Sequence, residues 1–459
     1  MAAVCARHSA VRPGHAAAPP ASGTARRTAC EREFPLKLPK LTARKLVGPA
    51  QRAGWGLADQ ALSSLSNLVV GVLVARSSTV AEFGIYALAF GGYTIALNLS
   101  RAVATEPLAV RHSGDRTPAW RDAIRASTAT ALVVGLIALF VGLAIALWPG
   151  MPARGVLIAF AVMMPGLLLQ DAWRWSFFVV GGGRQAFLSD LVWLLGMSVI
   201  FGLLYATGSA SATLLVLGWG AGALIAAVFG RYQSGVLPRF GAVRAWMHAH
   251  RDLTPKYVAE MVLMSGTVQV YMIGITAVTG IAAVSGIRGA QILMGPVNVL
   301  NQGIRAFAVP EAARALKHST RRLRLVGLAV TAFVGAGALA WGAVFLLLPD
   351  AVGRELLGVE VWAEAKPVLI PVILLWALGA ANAGAFAILR ATAAANRGLS
   401  IRIVSSVLFV IAGIGGAAIA GAQGAAWSLA IAASVTLLLW WWQADRAVRT
   451  GHFTVTTAE

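Results

Sequence analysis

The chain of 459 residues repeatedly presents apolar stretches of about twenty residues, and that recurrence limits its folds more than any motif does. A helix of about 20 apolar residues crosses ~30 Å of hydrocarbon. Twelve such spans can be set out, at 56–76, 84–106, 126–148, 155–180, 186–207, 211–230, 257–279, 284–312, 324–348, 367–392, 399–420 and 424–442. Composition agrees: 58% of residues are hydrophobic and 12% are charged, where soluble domains carry roughly 25%. The expected fold class is an all-α polytopic membrane protein of about twelve transmembrane helices.

The net charge of +20 then acquires a membrane meaning. Lys and Arg collect in the 107–125, 231–256 and 313–324 loops and in both tails. The connections on the other side are short and weakly charged, apart from the net acidic 349–366 loop. Positive loops stay in the cytoplasm, so both termini are expected there, in a multi-pass plasma (inner) membrane protein. Nucleic-acid binding is excluded, because the basic residues are dispersed over many short loops. Cys5 and Cys30 lie in the N-terminal tail and offer neither a disulfide framework nor metal spacing. Residues 1–50 read as a disordered basic cytoplasmic tail, or as sequence upstream of the true start; 446–459 read as a second cytoplasmic tail.

An offset of about 202 residues aligns the chain with itself. "ADQALSSLSN" (58–67) meets "AEMVLMSGTV" (259–268), and "LNLSRAVATEPLAVR" (97–111) meets "LNQGIRAFAVPEAAR" (300–314). Asp59 falls on Glu260, Asn98 on Asn301 and Pro107 on Pro310; Arg101 comes within one position of Arg305. The halves become a lobe at 51–230, a linker at 231–256 and a lobe at 257–445. Six spans per half is an even number, so both halves enter from the same side. That makes a parallel pseudo-two-fold repeat, which in transporters places the substrate path between the halves.

Ionisable groups within spans are costly and point to function. In the first span Asp59, Gln60, Ser63, Ser64 and Asn67 form one helical stripe. Its serines and Asn67 equally suit hydrogen bonds between helices. Asp59 and Glu260 are the candidates for ion coupling. The cationic set is Arg101, Arg174, Arg288 and Arg305, with Arg390 and Arg402 near span ends, where snorkelling is the simpler reading. Asp171 and Arg174 also have the i,i+3 spacing of an ion pair. Guanidinium binds phosphate bidentately and stays charged, while Asn98, Asn301 and Gln302 can bond sugar hydroxyls. Gly91, Gly92, Gly295 and Pro296 are candidate hinges, with close helix packing as the alternative. No P-loop, zinc-protease motif, catalytic constellation or metal site is found, and no cofactor is expected.

The stretches "GLADQALSSLSNLVVGVLVARSSTVAEFGIYALAF" (56–90), "EPLAVR" (106–111) and "QDAWRWSFFVVGGGRQAFLSDLVW" (170–193) resemble the polysaccharide and lipid-linked oligosaccharide flippases. These O-antigen and exopolysaccharide transporters belong to the multidrug/oligosaccharidyl-lipid/polysaccharide exporter superfamily. The resemblance implies two six-helix lobes around a central cavity and alternating access without ATP. It also implies a polyprenyl-pyrophosphate-linked glycan as cargo and polysaccharide-assembly enzymes as partners. Arg101, Arg288 and Arg305 are the positions matching the family's pyrophosphate-binding arginines. The first span departs from that pattern, carrying an acid and serines on its cavity stripe. Two rival readings are a drug/cation antiporter of the same superfamily and a membrane glycosyltransferase or polymerase; the short outer loops disfavour the latter.

Overall fold

The computed structural model describes the backbone of residues 43–112, 117–392 and 394–450, and the side chains of these except 43–53, 302, 305–307, 395 and 396. Residues Val47–Glu459 form one compact body; of the separate unit Met1–Leu46, the described part, 43–46, is helical. The expected tails thus lie largely outside the described residues. Every regular element described is helical.

The twelve crossings are α1 (Gly54–Arg76), α2 (Val80–Arg111), α3 (Pro118–Ala146), α4 (Arg154–Val179), α5 (Gly183–Ala206) and α6 (Ala212–Ser234), then α7 (Thr254–Thr279). Next come α8, built of Ile281–Leu293 and Gly295–His318, α9 (Thr320–Leu347) and α10 (Val359–Ala391). The last two are α11 (397–419) and α12 (422–450), which run on as one helical stretch but for non-helical Ala420 and Gly421. Among the described residues, ten helical stretches are long and apolar enough to span, with α11 and α12 counted as one. The difference has two causes: α8 is broken at Met294 ahead of Pro296, and α11 and α12 meet in a turn so tight that Gly421 takes φ +60°. An even number of crossings returns the chain to its starting side. We call this the terminal side, and the side of the 348–358 connection the far side.

Helices α1–α6 and α7–α12 form two lobes. Hydrocarbon gives helices no hydrophobic reason to associate, so small residues and close backbone approach hold them together. Gly384 lies against the Gly327 carbonyl, where a methyl group would overlap. Gly135 of α3 meets Pro165 of α4 in the same way. The first lobe is filled by an aromatic cluster of Tyr86, Phe90, Tyr93, Phe160, Trp193 and Trp219, with Trp193 Nε1 donating to the Trp219 carbonyl at 2.8 Å. The lobes meet chiefly where α2 packs on the first half of α8 and on α7.

Two of the hinge expectations are corrected. α2 runs through Gly91 and Gly92 as regular helix, because Gly91 serves close packing: its missing side chain makes room for Gln269 of α7. The irregularity in α2 comes later, as a π-helical turn at Arg101–Thr105 just before Pro107. Proline supplies no N–H and its ring crowds the carbonyl four residues back, so the helix widens there. In α8 the break falls at Met294, and Gly295 and Pro296 open the helix that follows it.

Candidate functional site

Two polar regions lie within the membrane-spanning body, and their chemistry is opposite. The first is a cavity of two adjoining compartments, the larger within the second lobe and the smaller at the seam between the lobes. The larger, about 470 Å³, is walled by α7, α8, α10, α11 and α12 and lined by Tyr271, Arg288, Gln291, Asn298, Asn301 and Arg402, with Trp376, Phe409 and Trp440 as apolar surfaces. The smaller, about 200 Å³, lies between α2, α7 and α8 and adds Gly91, Thr94, Ser265 and Gln269. Both touch Arg288 and Gln291. Among the described residues, neither compartment is lined by an Asp or Glu.

Arg288 defines this cavity. Its guanidinium rests 4.5 Å from the centre of the Phe90 ring. Its buried Nε has no hydrogen-bond partner. Aromatic support for a guanidinium is favourable but leaves its in-plane donors free for an anion. Arg402, the second cation, is 3.9 Å from Glu260 Oε1, and half of that Glu side chain is exposed.

The cavity is shut on the far side. Arg76 pairs with Glu355 at 2.6 Å, Val80 N donates to Glu360 Oε2 at 3.2 Å, and Ser285 Oγ donates to the Val80 carbonyl at 2.5 Å. The α2 start that makes these contacts is stiffened by a capping box between Thr79 and Glu82. Toward the terminal side, Asn98 Nδ2 of α2 donates to Ser265 Oγ of α7 at 2.9 Å. Below them the Val243–Ala249 helix is clamped to the first lobe, with Arg111 on Asp252 at 2.7 Å and Trp246 Nε1 donating to the Val103 carbonyl at 3.0 Å.

The second region is a charge cluster buried inside the first lobe. Arg174 Nε donates to Asp59 Oδ2 at 2.9 Å, Nη2 closes on the same oxygen, and the guanidinium also stands 3.2 Å from Asp190 and 3.7 Å from Asp171. Arg101 binds Asp171 with two parallel bonds of 2.9 and 2.6 Å. Gln170 Nε2 donates to Asp190 Oδ1 at 2.8 Å. Asp59 Oδ1 is buried without a hydrogen-bond partner. Phe178 and Trp175 cover Arg174 and Arg101 respectively. Three carboxylates face two guanidiniums, so the cluster is one positive charge short.

The expected site residues therefore separate. Arg288 and Asn301 line the cavity, and Asn98 lies at its α2–α7 seam. Arg101 and Arg174 are engaged by aspartates, so their donors are committed before any phosphate arrives. Asp59 turns into the first lobe, while Glu260 faces Arg402. Gln60 bonds Ser64 at 3.4 Å within the α1 stripe; Ser63, Ser64 and Asn67 line neither compartment. The side chains of Gln302 and Arg305 lie outside the described residues. Two participants escaped the sequence reading. Asp190 is an intramembrane carboxylate that the rule applied to Asp59 would have singled out. Arg402 sits near a span end, where snorkelling is the simpler reading, yet it lines the cavity.

No protein-family profile matches the chain, and no curated protein matches it. Solved structures do. The chain resembles the lipid II flippase MurJ in an inward closed conformation, with a TM-score of 0.62 and 14% identity over 85% of this chain and 88% of that one. It also resembles an inward-facing multidrug resistance MATE family transporter of the MOP superfamily, with a TM-score of 0.58 and 12% identity over 85% and 94% of the two chains. A third is a MOP superfamily transporter from Pyrococcus furiosus described by a binding pocket of reverse polarity, with a TM-score of 0.52 and 12% identity over 88% and 95%. At this identity the likeness shows the fold alone, which the chain shares with these transporters.

Proposed function

We propose that the chain is an alternating-access flippase that moves a polyprenyl-pyrophosphate-linked oligosaccharide or polysaccharide unit across the plasma membrane for cell-surface polysaccharide assembly. One observation carries this reading. The central cavity holds Arg288 and Arg402, lacks a lining carboxylate among the described residues, and offers amides and aromatic rings around them. An unpaired arginine in a low-dielectric cavity selects an anion, and pyrophosphate gives it bidentate partners. Asn298, Asn301 and Gln291 suit sugar hydroxyls. The basic terminal side faces the cytoplasm on this reading. The closed far side then makes this an inward state, with 231–256 as the linker between lobes.

The charge cluster supplies the coupling. Its deficit of one positive charge can be filled by a proton or a monovalent cation; Asp59 and Asp190 each carry a buried oxygen without a hydrogen-bond partner, and Asp59 is the one the repeat pairs with Glu260. Glu260, placed against Arg402 beside the cavity, gives the second lobe a carboxylate that cargo can compete with.

The antiporter reading draws on the same three aspartates, since carboxylates attract cationic drugs. They are spent on Arg174 and Arg101 and line neither compartment, which favours anionic cargo. Reconstitution decides between them. Vesicles containing the protein should translocate a fluorescent polyprenyl-pyrophosphate-linked sugar, and Arg288→Gln should slow this by at least about tenfold, the value of one charged hydrogen bond. Export of a cationic dye by the wild type, without lipid-linked sugar movement, would overturn the proposal.

A further inference from the structure

A third cavity lies beside the Arg288 compartment, and it is almost wholly apolar. It measures about 590 Å³ and is formed by α2, α3, α4 and α7. Leu88, Gly92, Ala96, Ile137, Phe160 and Ile273 represent its walls, and Gln269 is its one polar lining residue. It opens outward between helices: Ile137 and Ile273 are each more than half exposed on the face turned to lipid. It adjoins the smaller compartment that holds Arg288, with Leu88 and Gln269 in the wall the two share. An unpaired guanidinium and a hydrocarbon trough therefore share one threshold.

We infer that this trough seats the hydrocarbon chain of the cargo while its phosphate lies at Arg288, and that Gln269 is the door between the two. The inference rests on the reading of the cargo as an anionic lipid-linked glycan and adds where the lipid runs. A molecule with an anionic head and a long apolar chain is the one ligand chemistry that satisfies both compartments. The chain then stays in the bilayer's own dielectric while only the head is taken into the lobe interface. The pair Gly91-Gly92 fits this arrangement. At Gly91 a methyl group would overlap the Gln269 amide, so this glycine lets Gln269 close against α2. At Gly92, one residue round the helix, an added Cβ meets nothing within 4 Å, because that face of α2 is the floor of the trough.

The second glycine supplies the test. Gly92→Phe aims a ring into the trough from a position where an added Cβ meets no atom within 4 Å. The purified full chain in nanodiscs is titrated with farnesyl pyrophosphate, which has head and chain, and with inorganic pyrophosphate, which has only the head. Wild type should bind farnesyl pyrophosphate at least about tenfold more tightly, from the apolar area its chain buries. Gly92→Phe should erase that advantage and leave inorganic pyrophosphate within twofold of wild type; Arg288→Gln should weaken both. Unchanged farnesyl pyrophosphate binding in Gly92→Phe places the chain elsewhere and overturns the inference, while the head-group reading stands. Equal loss of both probes in Gly92→Phe marks distortion and also overturns it. Displacement of the farnesyl probe by phosphatidylglycerol at equal mole fraction makes the trough an ordinary lipid contact, again against the inference. If wild type binds neither probe, or Arg288→Gln changes neither, the head-group reading itself fails.

Discussion

Arginines are buried in both lobes of this molecule, yet they do different things. In the first lobe Arg174 and Arg101 are held by Asp59, Asp171 and Asp190, and the group is sealed by Phe178 and Trp175. In the second, Arg288 lies on a ring face with no carboxylate of the described residues lining the cavity beside it, and it borders open volume. Residue type is alike; neighbours differ. A buried charge with its countercharges is committed to the protein, whereas a buried charge lacking them is a binding site awaiting an ion. The contrast is also one of cost. The cluster spends its interactions on holding α1, α2, α4 and α5 together, and the cavity keeps its interactions for cargo.

The largest effect should come from breaking the compensated side. Arg174→Gln strands Asp59 and Asp190 as buried carboxylates, a loss of about 3–5 kcal/mol. Thermal unfolding of the purified protein should shift down by several degrees or more, with reduced membrane yield. A variant as stable as wild type would mean the cluster is not structurally coupled. Arg288→Gln is the opposite case: no ion pair is lost, so thermal stability should stay near wild type while lipid-linked sugar movement falls at least about tenfold. Loss of both together would erase the distinction between the regions. Asp59→Asn sharpens it further. Arg174 keeps Asp190 and Asp171, and the cluster becomes charge-balanced. The fold should therefore survive, while the response of transport to an imposed pH gradient disappears. A persisting response would move coupling away from Asp59.

The smallest expected effect lies outside the membrane, where His112 closes α2 against Trp246 and His250. Burial first, then His250 and Arg111, hold the His112 pKa below its ordinary 6.5. The folded state thus prefers neutral His112. Its contribution is complete above about pH 6.5 and is lost as pH falls from there through the lower folded value. Stability measured from pH 7.5 to 5.5 should decline, and His112→Gln should flatten the curve. An identical slope in both proteins would show that another group titrates there.

The far-side contacts also separate what patterning can and cannot show. The 349–366 connection reads as a solvated acidic loop. In the fold it forms helices whose Glu355 and Glu360 reach across to Arg76 and Val80 and close the cavity. Pairs 280 residues apart, such as Val80 and Glu360, carry no signal in a single chain's periodicity.

Hydropathy and charge placement by themselves determined the membrane class, the twelve crossings and the even count. These follow from the bilayer's thickness and from backbone chemistry, both local in sequence. Local patterning also brought Asp59, Arg101, Arg174 and Arg288 forward as costly intramembrane charges. Which of them pair was decided by tertiary packing. Arg174 meets Asp59 only because α1, α4 and α5 converge, and Arg288 stays unpaired only because α2 offers it Phe90 instead of an acid. The physical reason is that the energy of a buried charge depends on the few ångströms around it, and those are filled by helices distant in the chain.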